Sequence, residues 1–300
     1  MRILYFGNGA RGERCLEAIV AHGRDEVVGV VAHPGAPTPS IADLAASLSI
    51  PVHRPANVNS REFRSTVARL EPDLAVLSGY NRILRGRLLA IPSQGAINLH
   101  GGKLPEYRGA APINWQILNG ESAGGCSIIV VYEGIDTGPI LAEERYPIDP
   151  DEDARSVLEK TLRIFPPLLI ETLDRLRDGT VAPRAQDPTA GAYWTRRTPA
   201  DSRIDWRTMT ARQVHDLVRA SVPPYPGAFC LHDDLPLYLL KTRRLSEEIR
   251  GVPGRIALRR EDGIVVIARD RGLLVERVAV GDVDCEVEVG EALRVGGDLG

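Results

Sequence analysis

The first hundred residues alternate short apolar runs with amphipathic stretches. Val27–Ala32 and Leu74–Ser78 are apolar almost throughout, which is typical of strands buried on both faces. Arg61–Leu70, between them, has the pattern of a helix. This alternation predicts a Rossmann-like α/β domain with a parallel sheet and right-handed crossovers. The other predicted strands are Arg2–Phe6, Pro51–His53 and Gly95–Leu99, and the other predicted helices are Glu13–His22 and Ile41–Ser49.

The pattern changes after one long helix. Asp151–Gly179 carries apolar side chains at helical spacing, and residues 180–199 then lack periodicity and hold three prolines. Beyond a helix at Thr210–Ala220, short β-like runs predict a small OB-like β-barrel. We therefore predict an α/β domain over residues 1–182, a linker over 183–203 and a C-terminal OB-like domain over 204–300.

The composition argues against several classes of binding partner. The 300 residues carry a formal charge of −3 and a pI near 6.1, so there is no global attraction to nucleic acid or to an anionic membrane. The four cysteines are far apart and form no CxxC or Cys/His cluster, which predicts reduced, mostly buried thiols. The chain begins directly in a predicted strand, without a signal-peptide pattern, and no apolar run approaches the ~20 residues of a membrane helix. We expect a cytoplasmic protein.

A glycine-rich loop raises the question of a dinucleotide site. Gly7–Gly12 reads Gly-Asn-Gly-Ala-Arg-Gly between a predicted strand and a predicted helix. A dinucleotide fingerprint also needs an acidic residue at the end of the next strand to hold the ribose, and that strand ends in Ala32-His33-Pro34. We therefore favour a structural reading, in which the glycines permit a tight turn and close helix packing, over NAD(P) binding.

Polar residues suited to acid–base chemistry stand at the end of the last predicted strand. Asn98 and His100 point to the same side because side chains alternate along a strand, and a later apolar run, Ser127–Tyr132, leads to a loop that carries Asp136. A carboxylate beside a histidine favours acid–base catalysis, and an amide donor suits an oxyanion. No serine or cysteine stands at a nucleophile position, which favours direct transfer over a covalent intermediate. Taken singly, His100 and Asp136 also fit a loop histidine and a turn-forming aspartate.

The whole constellation resembles the folate-dependent formyltransferases. Their pattern is Asn-x-His, Leu-Pro-x-(Trp/Tyr)-Arg-Gly and Asp-(Thr/Ala)-Gly, which stand here as Asn98–His100, Leu104–Gly109 and Asp136–Gly138. The resemblance implies that Asn98 stabilises a tetrahedral oxyanion, His100 handles the proton and Asp136 tunes His100. It also implies 10-formyltetrahydrofolate as the formyl donor and an amine as the acceptor. Gly102-Lys103 departs from the Ser-Leu that family members usually carry, which leaves the contacts of that donor-side loop open.

The resemblance covers nearly the whole chain, including Tyr193–Pro199 and the C-terminal region. It leads us to expect that Tyr107 and Arg108 bind the acceptor substrate; packing for Tyr107 and a loop salt bridge for Arg108 are the alternatives. The donor is expected to contact a larger set of residues in loops around the site: Tyr80, Arg82, Ile83, Gly102, Leu104, Pro105, Tyr132, Glu133, Gly134 and Ile135.

Two kinds of acceptor compete within this resemblance, a nucleotide-linked amino sugar and methionyl-tRNA. Binding tRNA requires a basic face because phosphate contacts dominate affinity, whereas residues 201–300 hold 15 Lys and Arg against 17 Asp and Glu. The tRNA enzymes also carry a Lys/Arg-rich insertion after the second strand. The corresponding loop here, His33–Ser40, contains no lysine and no arginine. The Tyr107 loop and Pro112–Trp115 look closer to the sugar enzymes. We therefore expect an amino-sugar N-formyltransferase, with the tRNA enzyme or formylation of another small amine as alternatives.

Two other classes stay open. A binding protein could keep the fold without the chemistry, although such a protein has no need of Asn98, His100 and Asp136 together. A hydrolase of formyltetrahydrofolate shares these residue types, but it normally carries an N-terminal regulatory domain in place of a C-terminal barrel. We expect a folate donor and a small-molecule amine as partners, no nucleic acid and no membrane; a homodimer is compatible with the sequence.

Overall fold

The chain folds into two compact units, each built from segments that are not contiguous in sequence. The computed structural model describes residues 1–35, 40–132 and 134–299. The first unit contains Met1–Gly109, Gly125–Tyr146 and Glu159–Tyr193, and the second contains Ala110–Gly124, Pro147–Leu158 and Trp194–Gly300. Two stretches of the N-terminal half, 110–124 and 147–158, therefore belong to the second unit.

A seven-stranded sheet forms the centre of the first unit. Its strands are β1 (Arg2–Gly7), β2 (Glu26–Val31), β3 (Val52–His53), β4 (Leu74–Ser78), β5 (Ala96–His100), β7 (Ala123–Val130) and β8 (Ile140–Pro147). They lie in the order β3-β2-β1-β4-β5-β7-β8. The first five strands in this order pair in parallel, which confirms the predicted α/β parallel sheet. β7 then pairs antiparallel with β5, so that Ser127 lies opposite His100.

The helices of this half of the chain follow local sequence signals. α3 (Arg61–Leu70) begins after Ser60, whose hydroxyl accepts a hydrogen bond from the backbone N–H of Phe63. Its buried residues Phe63 and Val67 lie four positions apart and so share one face. The predicted long helix is confirmed and continues through Pro166 and Pro167. This long helix is α6 (Ala154–Arg177), and the other helices are α1 (Gly9–His22), α2 (Ile41–Ser47), α4 (Gly86–Leu89) and α5 (Pro112–Leu118).

The Gly7–Gly12 loop has a structural role. A Cβ atom at Gly12 would lie 3.1 Å from the carbonyl oxygen of Ser78, at the end of β4. The hydroxyl of Tyr5 donates to the carbonyl oxygen of Gly12 at 2.7 Å. Gly9 has a φ of 62°, a conformation that favours glycine. These contacts account for the glycines by close packing and a tight turn, as predicted.

One strand of the first unit gives no clear signal in the sequence. β8 begins with apolar residues, but Glu143-Glu144-Arg145 interrupts its alternation. In the fold, Glu143 pairs with Arg145 at 2.7 Å and with Arg184 at 2.9 Å. Arg145 is a neighbour in the same strand, whereas Arg184 is brought to Glu143 by the fold, and the sequence pattern predicted no strand here. A separate two-stranded sheet consists of β6 (Tyr107–Gly109) and β9 (Ala192–Trp194).

The second unit is an antiparallel β domain, as predicted. Its strands are β10 (Ala228–His232), β11 (Leu235–Arg244), β12 (Ile256–Arg260), β13 (Gly263–Ile267), β14 (Gly272–Val280) and β15 (Glu286–Val287). They lie in the order β10-β11-β14-β13-β12, and β15 pairs with β14. α7 (Ala211–Ser221) begins with a capping box between Thr210 and Gln213. Its apolar face packs into a core that contains the fully buried Trp206, and a short helix, α8 (Val289–Ala292), follows near the end.

Some classes of feature do not occur in the described part of the chain. None of its helices combines the length and apolar character needed to cross a bilayer. Within residues 1–35, 40–132 and 134–299, no group of three or more His, Cys, Asp or Glu side chains is placed to hold a metal ion. The thiols of Cys15, Cys126 and Cys230 are free and buried, and that of Cys285 is free and exposed.

Candidate active site

The C-terminal end of β5 places two polar side chains beside one loop. Asn98 and His100 are separated by Leu99, which is buried in the core with 2% exposure. The alternation of the strand therefore directs both polar side chains to the opposite face. His100 itself is 5% exposed, so its ring is shielded from bulk water.

Asp136 lies between these two side chains. One carboxylate oxygen, Oδ1, accepts from the Asn98 amide at 3.3 Å, and the other, Oδ2, is 3.4 Å from Nδ1 of His100. Oδ2 also accepts from the backbone N–H of Gly109 at 2.9 Å. The three residues that the sequence identified as catalytic are thus brought together in the first unit. The Asn98 amide group has two N–H donors, and the contact with Asp136 uses one of them.

The turn that carries Asp136 depends on unusual backbone geometry. Asp136 has a φ of 53°, in the left-handed region that aspartate tolerates better than most residues. Two residues later, a Cβ atom at Gly138 would lie 1.7 Å from the carbonyl oxygen of Val130. Any side chain at Gly138 would push the loop away from β7, which explains the glycine of the Asp-Thr-Gly motif in physical terms.

The second ring nitrogen of His100 faces another oxygen. Nε2 lies 2.6 Å from the carbonyl oxygen of Tyr107. Both nitrogens therefore face acceptors, a carboxylate on one side and a carbonyl on the other. A neutral imidazole has one N–H, so it can donate to only one of these two oxygens at a time. This arrangement suits a group that takes up and releases a proton during turnover.

The fold also recruits a residue that the sequence pattern did not identify. Nε2 of Gln186 donates to the carbonyl oxygens of Asp136 and Gly138 at 2.8 and 2.7 Å. Its Oε1 accepts from Nε of Arg108 at 3.1 Å. Gln186 thus supports the turn that carries Asp136. It lies in a stretch without periodicity, and no local signal distinguishes it from a surface glutamine.

The two residues expected to bind the acceptor are both buried. Arg108 is 2% exposed, and besides Gln186 its guanidinium donates to the carbonyl oxygens of Ala190 and Asp187, both at 3.0 Å. Tyr107 is 3% exposed, with the ammonium of Lys103 5.5 Å from its ring centroid. These contacts give Arg108 a structural role in place of the loop salt bridge that was its alternative. Acceptor binding by either residue stays a prediction.

Some of the residues expected to contact the donor are exposed, and others are buried. Ile83, Tyr132 and Ile135 are large apolar residues left 72%, 57% and 52% exposed, and Gly134 is exposed beside them. Tyr80 is buried, stacks on the ring of His33 at 4.5 Å, and its hydroxyl has no partner among the described atoms. Glu133 lies outside the described residues.

Of the remaining residues expected to contact the donor, Gly102, Leu104 and Pro105 lie in the loop between β5 and β6, whereas Arg82 follows β4. The carbonyl oxygen of Gly102 accepts from the hydroxyl of Ser127 at 3.1 Å. Leu104 packs in a small core with Ile129 and Ile140. Pro105 follows Leu104 through a cis peptide bond. The two N–H groups at Nη1 of Arg82 face the carbonyl oxygens of Pro55 and Ala56 at 3.2 and 2.9 Å. Roles in donor binding stay predictions for all of these residues.

Comparison with known families gives a match over both units. The sequence model of the family described as "Formyl transferase" matches residues 1–173. The model of the family described as "Formyl transferase, C-terminal domain" matches residues 196–283. A methionyl-tRNA formyltransferase of Sorangium cellulosum is 36% identical over 290 residues, covering 93% of this chain and 92% of its own. One of Citrifermentans bemidjiense is 34% identical over 316 residues, covering 100% of this chain and 96% of its own.

A solved structure has the same fold at lower identity. It is an N-formyltransferase of Helicobacter canadensis in complex with folinic acid and dTDP-3-aminofucose. The match has a TM-score of 0.72 and 17% identity, and it covers 92% of this chain and 99% of the other. At that identity the likeness concerns the fold.

Proposed function

This chain belongs to the formyl transferase family, and we propose that it transfers the formyl group of 10-formyltetrahydrofolate to the amine of a nucleotide-linked amino sugar. Membership of the family makes it a folate-dependent formyltransferase. The nature of the amine is the finer part of the proposal. It is supported by the distribution of charge in the second unit.

In the proposed mechanism, the neutral amine attacks the formyl carbon directly. The N–H of Asn98 that is not used by Asp136 donates to the oxyanion of the tetrahedral intermediate. His100 takes up the proton that the amine loses and returns a proton to the departing nitrogen of the folate. Asp136 fixes the ring of His100 through the 3.4 Å contact to Nδ1 and stabilises the imidazolium that forms.

The donor is proposed to lie against the exposed apolar residues of the first unit. Ile83, Tyr132 and Ile135 leave apolar area in water, which a flat ring system would cover favourably. The Helicobacter canadensis structure is a complex with folinic acid, and this supports a folate as the ligand. The Gly102-Lys103 departure from the family pattern does not remove these three side chains.

The observation that carries the choice of acceptor is the pairing of charges in the second unit. Arg255 pairs with Asp298 and Arg277 with Glu286, both at 2.6 Å, and Arg243 pairs with both Glu276 and Asp262. Arginines neutralised in this way contribute little to a phosphate-binding face. The loop His33–Ser40, of which residues 36–39 lie outside the described residues, contains no Lys or Arg in the sequence.

Methionyl-tRNA formylation is the second candidate, and it is supported by a specific finding. The relatives at 34% and 36% identity carry the name methionyl-tRNA formyltransferase. Those identities are higher than the 17% shared with the sugar-linked structure. The two candidates share the donor and the catalytic residues, so they differ only in the acceptor.

A donor-turnover assay separates the two candidates. Purified protein and 10-formyltetrahydrofolate are mixed with a panel of nucleotide-linked 3-amino and 4-amino sugars or, separately, with Met-charged initiator tRNA. We expect release of tetrahydrofolate with one sugar and none above background with the tRNA. Turnover with the tRNA alone would reject the sugar proposal, and the His100→Ala protein sets the background in each arm.

A further inference from the structure

The first unit contains a cleft lined by arginines, apart from the catalytic turn. The cleft has a volume of about 500 Å³ and is lined by the side chains of Arg64, Arg85 and Arg87 with those of Asn57 and Asn59. We call it the arginine cleft. Residues 54–87 as a whole hold seven arginines and three acidic residues, in a protein whose net charge is −3. The positive charge is therefore concentrated here.

Within the described residues, none of the three arginines of this cleft forms an ion pair. Among the described residues of the first unit, the arginines that form ion pairs are Arg2, Arg14, Arg24, Arg145, Arg175, Arg177 and Arg184. The charge of Arg64 lowers the pKa of Glu62, but it ranks behind hydrogen bonds from the backbone N–H of Glu62 and from Ser60. An anion in the cleft would thus meet guanidinium groups that need not first release a carboxylate.

Asn59 organises the cleft. Its carbonyl oxygen accepts from Nη1 of Arg64 at 2.6 Å, and its Oδ1 accepts from the backbone N–H of Arg85 at 2.8 Å. Its Nδ2 donates to the carbonyl oxygen of Ile83 at 2.9 Å. One asparagine therefore links the start of α3 to the 83–85 segment, which reduces the ordering cost of binding.

The bond to Ile83 also sets the position of the cleft relative to the proposed donor site. Ile83 is the most exposed of the large apolar residues expected to contact the donor. Arg85 lies only two residues farther along the chain, a distance of at most about 7 Å. A folate has a glutamate at the end opposite its pterin ring, and each γ-linked glutamate added to it contributes another carboxylate. Guanidinium groups match carboxylates in shape and charge.

We propose that the arginine cleft binds the γ-linked oligoglutamate tail of the folate donor. This inference rests on the proposed use of a folate donor. The size of the cleft is in the range of small-ligand sites, and the arginines converge on it. An RNA backbone would instead need an extended basic face with many phosphate contacts.

The test compares two forms of one stable folate. Calorimetric titration measures the dissociation constants of 5-formyltetrahydrofolate monoglutamate and pentaglutamate. For the wild-type protein we expect the pentaglutamate to bind at least ~10-fold more tightly, since each charge-assisted contact contributes to affinity. The advantage should shrink when salt rises from about 0.05 to about 0.3 M, because the carboxylates and guanidinium groups are partly solvated.

Variants of the cleft arginines test whether the tighter binding of the pentaglutamate depends on the arginine cleft. Arg85→Gln/Arg87→Gln should bring the ratio of the two dissociation constants from at least ~10 to about 1. Arg69→Gln is the matched control, because Arg69 lies on α3 but does not line the cleft, and it should keep the wild-type ratio. Circular dichroism verifies that each variant is folded.

The outcomes separate this inference from the function on which it rests. Equal affinity of wild-type protein for both forms would overturn the tail site and leave the donor assignment standing. No binding of either form would overturn both. A pentaglutamate advantage that survives Arg85→Gln/Arg87→Gln, while filter binding of bulk tRNA is lost in that variant, would make the cleft an RNA-contacting surface and overturn the inference.

Discussion

The two units each contain a buried histidine, and their surroundings differ in one decisive respect. His100, in the first unit, is 5% exposed and His215, in the second, is 2% exposed. Each ring nitrogen faces an oxygen, and a carboxylate oxygen of Asp151 also lies 3.6 Å from Nε2 of His215. At His100 both oxygens are acceptors. At His215, Nε2 faces the carbonyl oxygen of Pro150 at 3.1 Å, but Nδ1 faces the hydroxyl of Thr242 at 3.0 Å.

A hydroxyl can donate as well as accept, and this decides the difference. The neutral ring of His215 satisfies both neighbours, donating to Pro150 and accepting from Thr242. Burial lowers the pKa of His215, with a smaller contribution from Arg219, against the opposing effects of the Pro150 carbonyl, Asp216 and Asp151. A neutral His100 ring can donate to only one of its two acceptor oxygens. Burial is therefore common to both histidines, and the types of their hydrogen-bond partners distinguish them.

The largest expected effect comes from removing the catalytic side chains. Asn98→Ala, His100→Ala and Asp136→Ala should each lower kcat at least ~10²-fold, because they remove, in that order, the proposed oxyanion donor, the proton carrier and the carboxylate that fixes its ring. Tetrahydrofolate release under saturating donor measures this, with circular dichroism to verify folding. A folded His100→Ala protein with near-normal kcat would show that His100 is not the proton carrier. The contrast between His100 and His215 would then have no consequence for function.

His215→Ala should show the opposite behaviour. It leaves the Thr242 hydroxyl and the Pro150 carbonyl without their partner in a buried site, so we expect a loss of about 1–3 kcal/mol in the free energy of unfolding. The kcat of the folded variant should match that of the wild type. Urea unfolding and the turnover assay measure the two quantities on the same samples. A stable but inactive variant would contradict the structural role of His215.

A smaller effect on catalysis is expected at Gln186. Gln186→Ala removes the two hydrogen bonds to the turn that carries Asp136, and we expect kcat to fall about 10-fold, as for misplacement of a catalytic group. Gln186→Glu should not restore it, because a carboxylate has no N–H to donate to Asp136 and Gly138. Wild-type kcat in Gln186→Ala would mean that the turn holds its geometry without this residue.

The smallest effect is a dependence of stability on pH. The pKa of His215 in the folded protein lies below the ordinary value of 6.5, so the unfolded state binds the proton first. The free energy of unfolding should therefore fall as pH drops below about 6.5, with a slope of at most about 1.4 kcal/mol per pH unit for one group. The loss should level off below the folded pKa.

His215→Gln provides the control for this slope, since glutamine does not titrate. The variant should lose part of the pH dependence between about 7.5 and 5.5. A remainder is expected, because burial also lowers the pKa values of His33 and His53. Identical slopes in wild type and His215→Gln would show that His215 does not carry the dependence.

The sequence alone determined the features that depend on neighbours along the chain. The sequence pattern predicted strands at β1 to β5, and the helical pattern of Arg61–Leu70 predicted α3. The same period-two alternation placed Asn98 and His100 on one face of a strand. Local sterics and side-chain burial act over a few residues, so these features can be read from a short stretch of sequence.

Only the tertiary structure decided which distant groups meet. It brought Gln186 to the turn of Asp136, placed the carbonyl of Tyr107 against His100 and gave Arg108 its three backbone and side-chain acceptors. It also assigned residues 110–124 and 147–158 to the second unit. Hydrogen bonds and ion pairs between residues far apart in the chain depend on distances of a few ångströms, and those distances are set by the packing of whole elements rather than by local sequence pattern.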